Sequence, residues 1–72
     1  MEHGAGTIRW GILGTGRIAD KFAGDLALAE GAAAVAVGSR SRESAEHFAR
    51  RHGIPKAYGS YDELVRDPDV DI

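Results

Sequence analysis

Two hydrophobic periods alternate along the chain. Ile8, Trp10, Ile12 and Leu13 form a short apolar run that ends in glycine. Such a run reads as a strand usable for burial on both faces, as a parallel strand between helices must be. From Arg17 to about Glu30 the period lengthens. Ile18, Phe22 and Leu26 recur every fourth residue with Ala19 and Ala23 beside them, while Asp20, Lys21 and Asp25 face away. That is the stripe of an amphipathic helix, with Gly31 as its stop. Residues 32–37 are small or β-branched and read as a second buried strand. Ser41 is a good N-cap for a second helix, with Glu43 and Glu46 in its early turns and Ala45, Phe48 and Ala49 as its stripe. Arg50, Arg51 and His52 sit where the helix dipole favours cations, and Gly53 ends the helix. Beyond Pro55, residues 56–58 form a third strand. Ser60-x-x-Glu63 opens a third helix carrying Tyr61, Leu64 and Val65. Asp67-Pro68 stops it, and residues 70–72 read as the entry to a fourth strand.

Strands alternating with helices predict an α/β fold with a parallel sheet. Right-handed crossovers place strand two beside strand one and strand three outside strand two, giving the order 3-2-1. The fourth strand belongs on the other side of strand one. That side is expected to be nearly uncovered, and a bare apolar edge invites pairing with a second chain. The chain is therefore read as a fragment cut within its fourth strand, with homo-oligomerisation as a further expectation.

The turn after the first strand carries the candidate chemistry. Gly14-x-Gly16-x-x-Ala19 between a strand and a helix is a dinucleotide-binding fingerprint. Gly14 makes the tight turn, Gly16 lets a pyrophosphate approach the backbone, and Ala19 lets the helix pack on the strand. The helix N-terminus then faces the phosphates with its free N–H groups and positive dipole end. Thr15 contributes its backbone N–H. Arg17 is read either as a pyrophosphate contact or as a solvated first-turn charge. Trp10 precedes the turn, so core packing is preferred to base stacking.

Composition narrows the classes. Seventy-two residues hold one small domain, and no cysteine is present for disulfides or thiolate metal sites. A net charge of −2 with mixed signs points to neither nucleic acid nor membrane. No apolar run approaches a membrane span of about 20 residues. Residues 1–6 lack the pattern of a signal peptide. They read as a disordered start, and the cytoplasm is the expected location. His47 and His52 have no second ligand at metal spacing and read as surface residues. Asp62, Glu63, Asp67, Asp69 and Asp71 read as a helix cap and polar turn.

The end of the second strand addresses coenzyme choice. A fold that prefers NAD places Asp or Glu there for the ribose hydroxyls. Here Gly38-Ser39-Arg40-Ser41 stands in that place, and no carboxylate occurs between Glu30 and Glu43. A guanidinium pairs with a 2′-phosphate, and Ser39 and Ser41 add hydrogen bonds. The expectation is NADP(H), with NAD(H) second. Cations at a helix start are mildly unfavourable, which argues that Arg40 has a partner; solvated charge is the other reading of Arg40 and of Arg42.

Residues 9–19 (RWGILGTGRIA), 38–41 (GSRS), 57–64 (AYGSYDEL) and 67–71 (DPDVD) together resemble the Gfo/Idh/MocA oxidoreductase family over nearly the whole chain from Thr7. By eye the nearest branch is that of the NADP-dependent dihydrodiol and D-xylose dehydrogenases. The resemblance implies that residues 7–72 are the N-terminal part of a dinucleotide-binding Rossmann domain, with an α+β substrate and dimerisation domain absent. It also implies hydride transfer between nicotinamide and a carbon bearing a hydroxyl or carbonyl in a sugar, polyol or dihydrodiol. Carried over residue by residue, it places Gly14, Thr15, Gly16, Arg17 and Ile18 on the phosphates and Ser39, Arg40 and Ser41 at the adenosine end. The family's lysine in a Glu-Lys-Pro motif has no counterpart here, because Lys21 and Lys56 stand in other contexts. No catalytic residue is assigned, and the chain alone is expected to bind coenzyme without turnover. The alternative class is a small non-catalytic nucleotide-binding or sensing module. An S-adenosyl ligand on the same fold is a third reading, disfavoured by the strand-end arginine.

Overall fold

The computed structural model describes residues 7–72. The predicted disordered start at residues 1–6 lies outside the described residues. The order is β1 (Ile8–Leu13), α1 (Arg17–Leu28), β2 (Ala32–Gly38), α2 (Arg42–His52), β3 (Lys56–Tyr58) and α3 (Tyr61–Val65). The three strands are parallel, with β2 in the centre. This is the expected 3-2-1 arrangement.

The serine caps are where the sequence puts them. The Ser41 and Ser60 hydroxyl oxygens accept the N–H groups of Ser44 and Glu63. Gly53 ends α2 with positive φ, which glycine adopts without strain, whereas α1 stops earlier than read, at Leu28 with Ala29 as its C-cap, and Gly31 lies at positive φ in the turn before β2.

The main core lies between the sheet and the α1–α2 pair. Ile12, Ala23, Leu26, Val37, Phe48, Ala49 and Ile54 are buried together, with Trp10, Ala32, Ala34 and Ala57 against them. Trp10 meets Phe22 edge-on at 5.3 Å, the packing role expected of it. Strand β2 carries an irregularity that periodicity did not predict. Trp10 pairs with Ala34 but Gly11 pairs with Ala36, so Val35 is an extra residue in the ladder. Such a bulge changes which face later side chains take. Ala34 and Val37, three positions apart, therefore share one core.

On the opposite face α3 lays Leu64 over the strands. A Cβ on Gly11 would stand 3.0 Å from Val70 Cγ1 and 3.3 Å from Leu64 Cδ1. Residues 70–72 are not a regular strand, yet they run beside β1. The Gly11 N–H donates to the Ile72 carbonyl at 2.9 Å, and the Asp71 N–H donates to the Arg9 carbonyl at 2.7 Å. The edge of β1 expected to be nearly bare is thus covered in its first half. One helical position departs from expectation: Ile18, read as part of the buried stripe of α1, is 87% exposed. It sits in the first turn, and the stripe buries only Ala23 and Leu26 farther along.

Candidate functional site

The glycine turn and the end of β2 meet through one bond. Gly14 has φ 97°, and its N–H donates to the Gly38 carbonyl at 2.7 Å. Residues 14–18 and 39–41 therefore share the carboxyl edge of the sheet, where open α/β folds bind ligands. A Cβ on Gly14 or Gly16 would meet nothing within 4 Å. Their lack of side chains therefore serves open space over the backbone rather than internal packing. Gly16 is the N-cap of α1, and no side chain caps its first N–H groups. An uncapped helix N-terminus beside open backbone fits an approaching phosphate.

Ser39, Arg40 and Ser41 follow β2 in a hydrogen-bonded turn. The Ser39 N–H donates to the Tyr58 carbonyl at 3.1 Å, and the buried Ser39 hydroxyl oxygen accepts the Ser41 N–H at 3.2 Å. The Ser41 oxygen in turn accepts the Ser44 N–H at 3.2 Å. Each hydroxyl is an acceptor in these bonds and keeps its own proton to donate. Arg40 is exposed between them.

The nine lysines and arginines sort usefully. Arg9, Lys21, Arg42, Arg51, Lys56 and Arg66 are in ion pairs. Arg17, Arg40 and Arg50 have none among the described residues. Two of those three, Arg17 and Arg40, stand at the carboxyl edge beside the glycine turn. Arg42 is instead paired with Glu46 of its own helix at 3.4 Å.

Two clusters were not legible in the sequence. Asp20, read as facing away, accepts from His52 Nε2 at 2.7 Å and lies 2.9 Å from an Arg51 guanidinium nitrogen. His52, read as a surface residue, has a side chain only 16% exposed and packs on Phe48. This contact joins the first turn of α1 to the last turn of α2, where each charge also suits its own helix dipole. It brings Arg51 to a cleft of about 300 Å³ lined by Thr15, Gly16, Arg17 and Asp20.

The second cluster centres on Asp67, read as part of a polar turn. Its side chain is fully buried. It accepts the Tyr58 hydroxyl at 2.7 Å, Lys56 Nζ at 3.1 and 3.2 Å, and the Asp69 N–H at 2.8 Å. The Tyr58 and Asp69 bonds hold the Asp67 carboxyl below its ordinary range, against the opposing effect of burial. The same partnership raises Tyr58. Hydrogen bonds to Asp69 and Asp67 raise Lys56, and the bond to Asp71 raises Arg9. Lys56 Nζ lies 2.6 Å from Asp69, and Arg9 lies 3.1 Å from Asp71, so the ion pairs reach from β3 to β1.

An apolar groove of about 680 Å³ flanks β1 and α1, lined by Trp10, Leu13, Ile18, Phe22 and Ile72. Among the described residues no three His, Cys, Asp or Glu side chains group to hold a metal. No helix there is long and apolar enough to cross a membrane.

Comparison with known proteins gives consistent matches. Residues 8–72 match the Gfo/Idh/MocA oxidoreductase family, NAD-binding Rossmann fold. The chain is 50% identical over 66 residues to the trans-1,2-dihydrobenzene-1,2-diol dehydrogenase of Xenopus laevis, covering 89% of this chain and 20% of that protein. It is 45% identical over 67 residues to the protein of the same name from Bos taurus, covering 90% and 20%. Among solved structures, a 3-ketoreductase from Actinomadura kijaniata in complex with TDP-benzene and NADP superposes with a TM-score of 0.84 at 29% identity. That match covers 90% of this chain and 21% of the other. The myo-inositol dehydrogenase of Lactobacillus casei in complex with NAD(H) and myo-inositol gives 0.81 at 28% identity, covering 90% and 20%. The chain spans about a fifth of the length of the curated relatives it matches, 20% in each of those two cases.

Proposed function

The chain belongs to the Gfo/Idh/MocA oxidoreductases, residues 8–72 forming their NAD(P)-binding Rossmann portion, and we propose that it serves as the NADP(H)-binding part of a dehydrogenase acting on a CH–OH group. Arg40 carries the preference for the 2′-phosphate. It stands in the turn after β2 without a protein partner among the described residues, in a stretch that offers no carboxylate to ribose hydroxyls. An unpaired guanidinium beside two hydroxyl donors suits a dianionic phosphate, whereas a carboxylate would repel it. The pyrophosphate falls to the backbone at Gly14, Thr15, Gly16, Arg17 and Ile18, with the Arg17 side chain as a further cation. Ser39 and Ser41 hold the adenosine end with Arg40.

When bound, the nicotinamide coenzyme supplies hydride transfer. This chain's residues bind and orient it, and none of the 72 is assigned to proton transfer. The chain on its own is accordingly expected to bind without turnover. The relatives act on a dihydrodiol by name, and a vicinal diol, sugar or polyol is the substrate class proposed for the whole enzyme.

Calorimetric titration with 2′,5′-ADP and with 5′-AMP tests the coenzyme reading. Tighter binding of 2′,5′-ADP, abolished in Arg40→Ala, is the expected result. Equal affinities in the folded wild-type chain would refute it.

A further inference from the structure

The buried carboxylate of Asp67 has no part in the coenzyme site described above, yet it anchors the first of a series of hydrogen bonds, joined through the covalent frames of Tyr58, Ser39 and Ser41, that leads there. The Tyr58 hydroxyl donates to Asp67 at 2.7 Å. The Tyr58 carbonyl accepts the Ser39 N–H at 3.1 Å. The Ser39 oxygen accepts the Ser41 N–H, and the Ser41 oxygen accepts the Ser44 N–H, each at 3.2 Å. Neighbouring contacts make the line stiff. A Cβ on Gly59 would stand 3.0 Å from Arg42 Cβ, and one on Gly38 would stand 3.3 Å from the Ser60 carbonyl. The turn after β3 is thus seated directly against the turn after β2. Each bond restrains the residue that makes the next, and a buried acceptor left without its donor incurs its full desolvation cost.

We propose that Asp67 is a positioning residue for the 2′-phosphate site, fixing Tyr58 so that the turn beyond it holds Ser39, Arg40 and Ser41 in their binding geometry. The proposal rests on the coenzyme reading given above. Lys56 and the Asp69 N–H are the other groups facing the carboxylate, and they keep it in place when Tyr58 is altered. Tyr58→Phe therefore cuts the line at its first bond while leaving the carboxylate satisfied.

Two variants test this, Tyr58→Phe and Asp67→Asn, each titrated with 2′,5′-ADP and 5′-AMP in parallel. The wild-type preference for 2′,5′-ADP should fall about five-fold in each variant, within the range that residues outside a ligand site reach, with 5′-AMP affinity falling less than that for 2′,5′-ADP. A purely structural role would lower both affinities together through the unfolded fraction. An unchanged ratio in folded Tyr58→Phe would overturn the proposal whether or not Asp67→Asn folds. Amide hydrogen exchange at Ser39 and Ser41 provides a readout without nucleotide. Exchange should quicken at both positions in Tyr58→Phe, and unaltered exchange there counts equally against a positioning role. Should the wild type itself show no preference for 2′,5′-ADP, the coenzyme reading fails, and the exchange rates alone decide whether Asp67 sets the turn.

Discussion

Leu64 lies directly on Gly38. A Cβ built on that glycine would stand 3.0 Å from Leu64 Cβ and 3.1 Å from Leu64 Cδ2. Both residues are buried. Gly38→Ala is expected to cost about 1–3 kcal/mol by overpacking. Leu64→Ala should cost about 2–5 kcal/mol by leaving a cavity. In the double variant the contact with Leu64 Cδ2 is gone while that with the Cβ at position 64 remains, so the overpacking is relieved in part and the two costs should sum to more than the measured whole. Urea unfolding of all four proteins closes this cycle, and simple additivity would argue against the contact.

Arg40 invites a finer substitution than removal. Lysine keeps the charge but not the planar fork that pairs with phosphate oxygens. Arg40→Ala should weaken 2′,5′-ADP binding about ten- to hundred-fold, the range for a lost charge-assisted hydrogen bond. Arg40→Lys should fall between alanine and wild type. Equal losses for lysine and alanine would mean that geometry, not charge, carries the preference.

Gly14 separates backbone strain from ligand access. Its φ of 97° disfavours any side chain, while its Cβ position is empty space. Gly14→Ala should destabilise by about 1–3 kcal/mol from conformation alone. Binding of NADPH, followed by its fluorescence, should weaken further in the fraction that remains folded, because the methyl occupies the approach to the backbone. Unweakened binding by folded variant protein would move the pyrophosphate elsewhere.

The Asp67 cluster makes stability depend on pH at both extremes. The folded-state carboxyl of Asp67 lies below its unfolded value, so its contribution is full above about pH 4 and is lost as the pH falls through the folded value. Tyr58 and Lys56 are raised instead. Their contributions are full below about pH 10 and are lost as the pH rises through the folded values. Urea midpoints measured from pH 2 to 11 should fall at both ends, and Tyr58→Phe should flatten both limbs. A variant profile parallel to wild type throughout would show that this cluster does not set the limits.

What the sequence disclosed was local. The glycine turn, the Ser41 and Ser60 caps and the Gly53 stop each depend on residues within a few positions, and each is found where its chemistry predicts. Strand order followed from crossover handedness, which needs no contact information. The hidden features join residues distant along the chain. Asp20 and His52 are 32 positions apart, and nothing in either helix's pattern marks them as partners. Asp67 sits in a run of carboxylates, and only the return of β3 beside it selects that one for burial. Ile18 has the right period for the core but sits in the first turn of α1, where it lines the open groove beside β1. For the proposed site, the sequence nominates residues 14–18 and 39–41 as two separate stretches, whereas the Gly14–Gly38 bond that joins the two turns required the fold.

The extra residue in β2 has an effect larger than its size. Before Val35 the strand is read in one frame, and after it in the other. The shift turns Val37 toward Phe48 and leaves the hollow of Gly38 for Leu64. Were Val35 instead held in the regular ladder, the bulk of Val37 would be thrust at α3 and the hollow of Gly38 would open beneath α2. One inserted residue thus works as a frameshift in the pleat, and the turn that follows Gly38 inherits its orientation from that second frame.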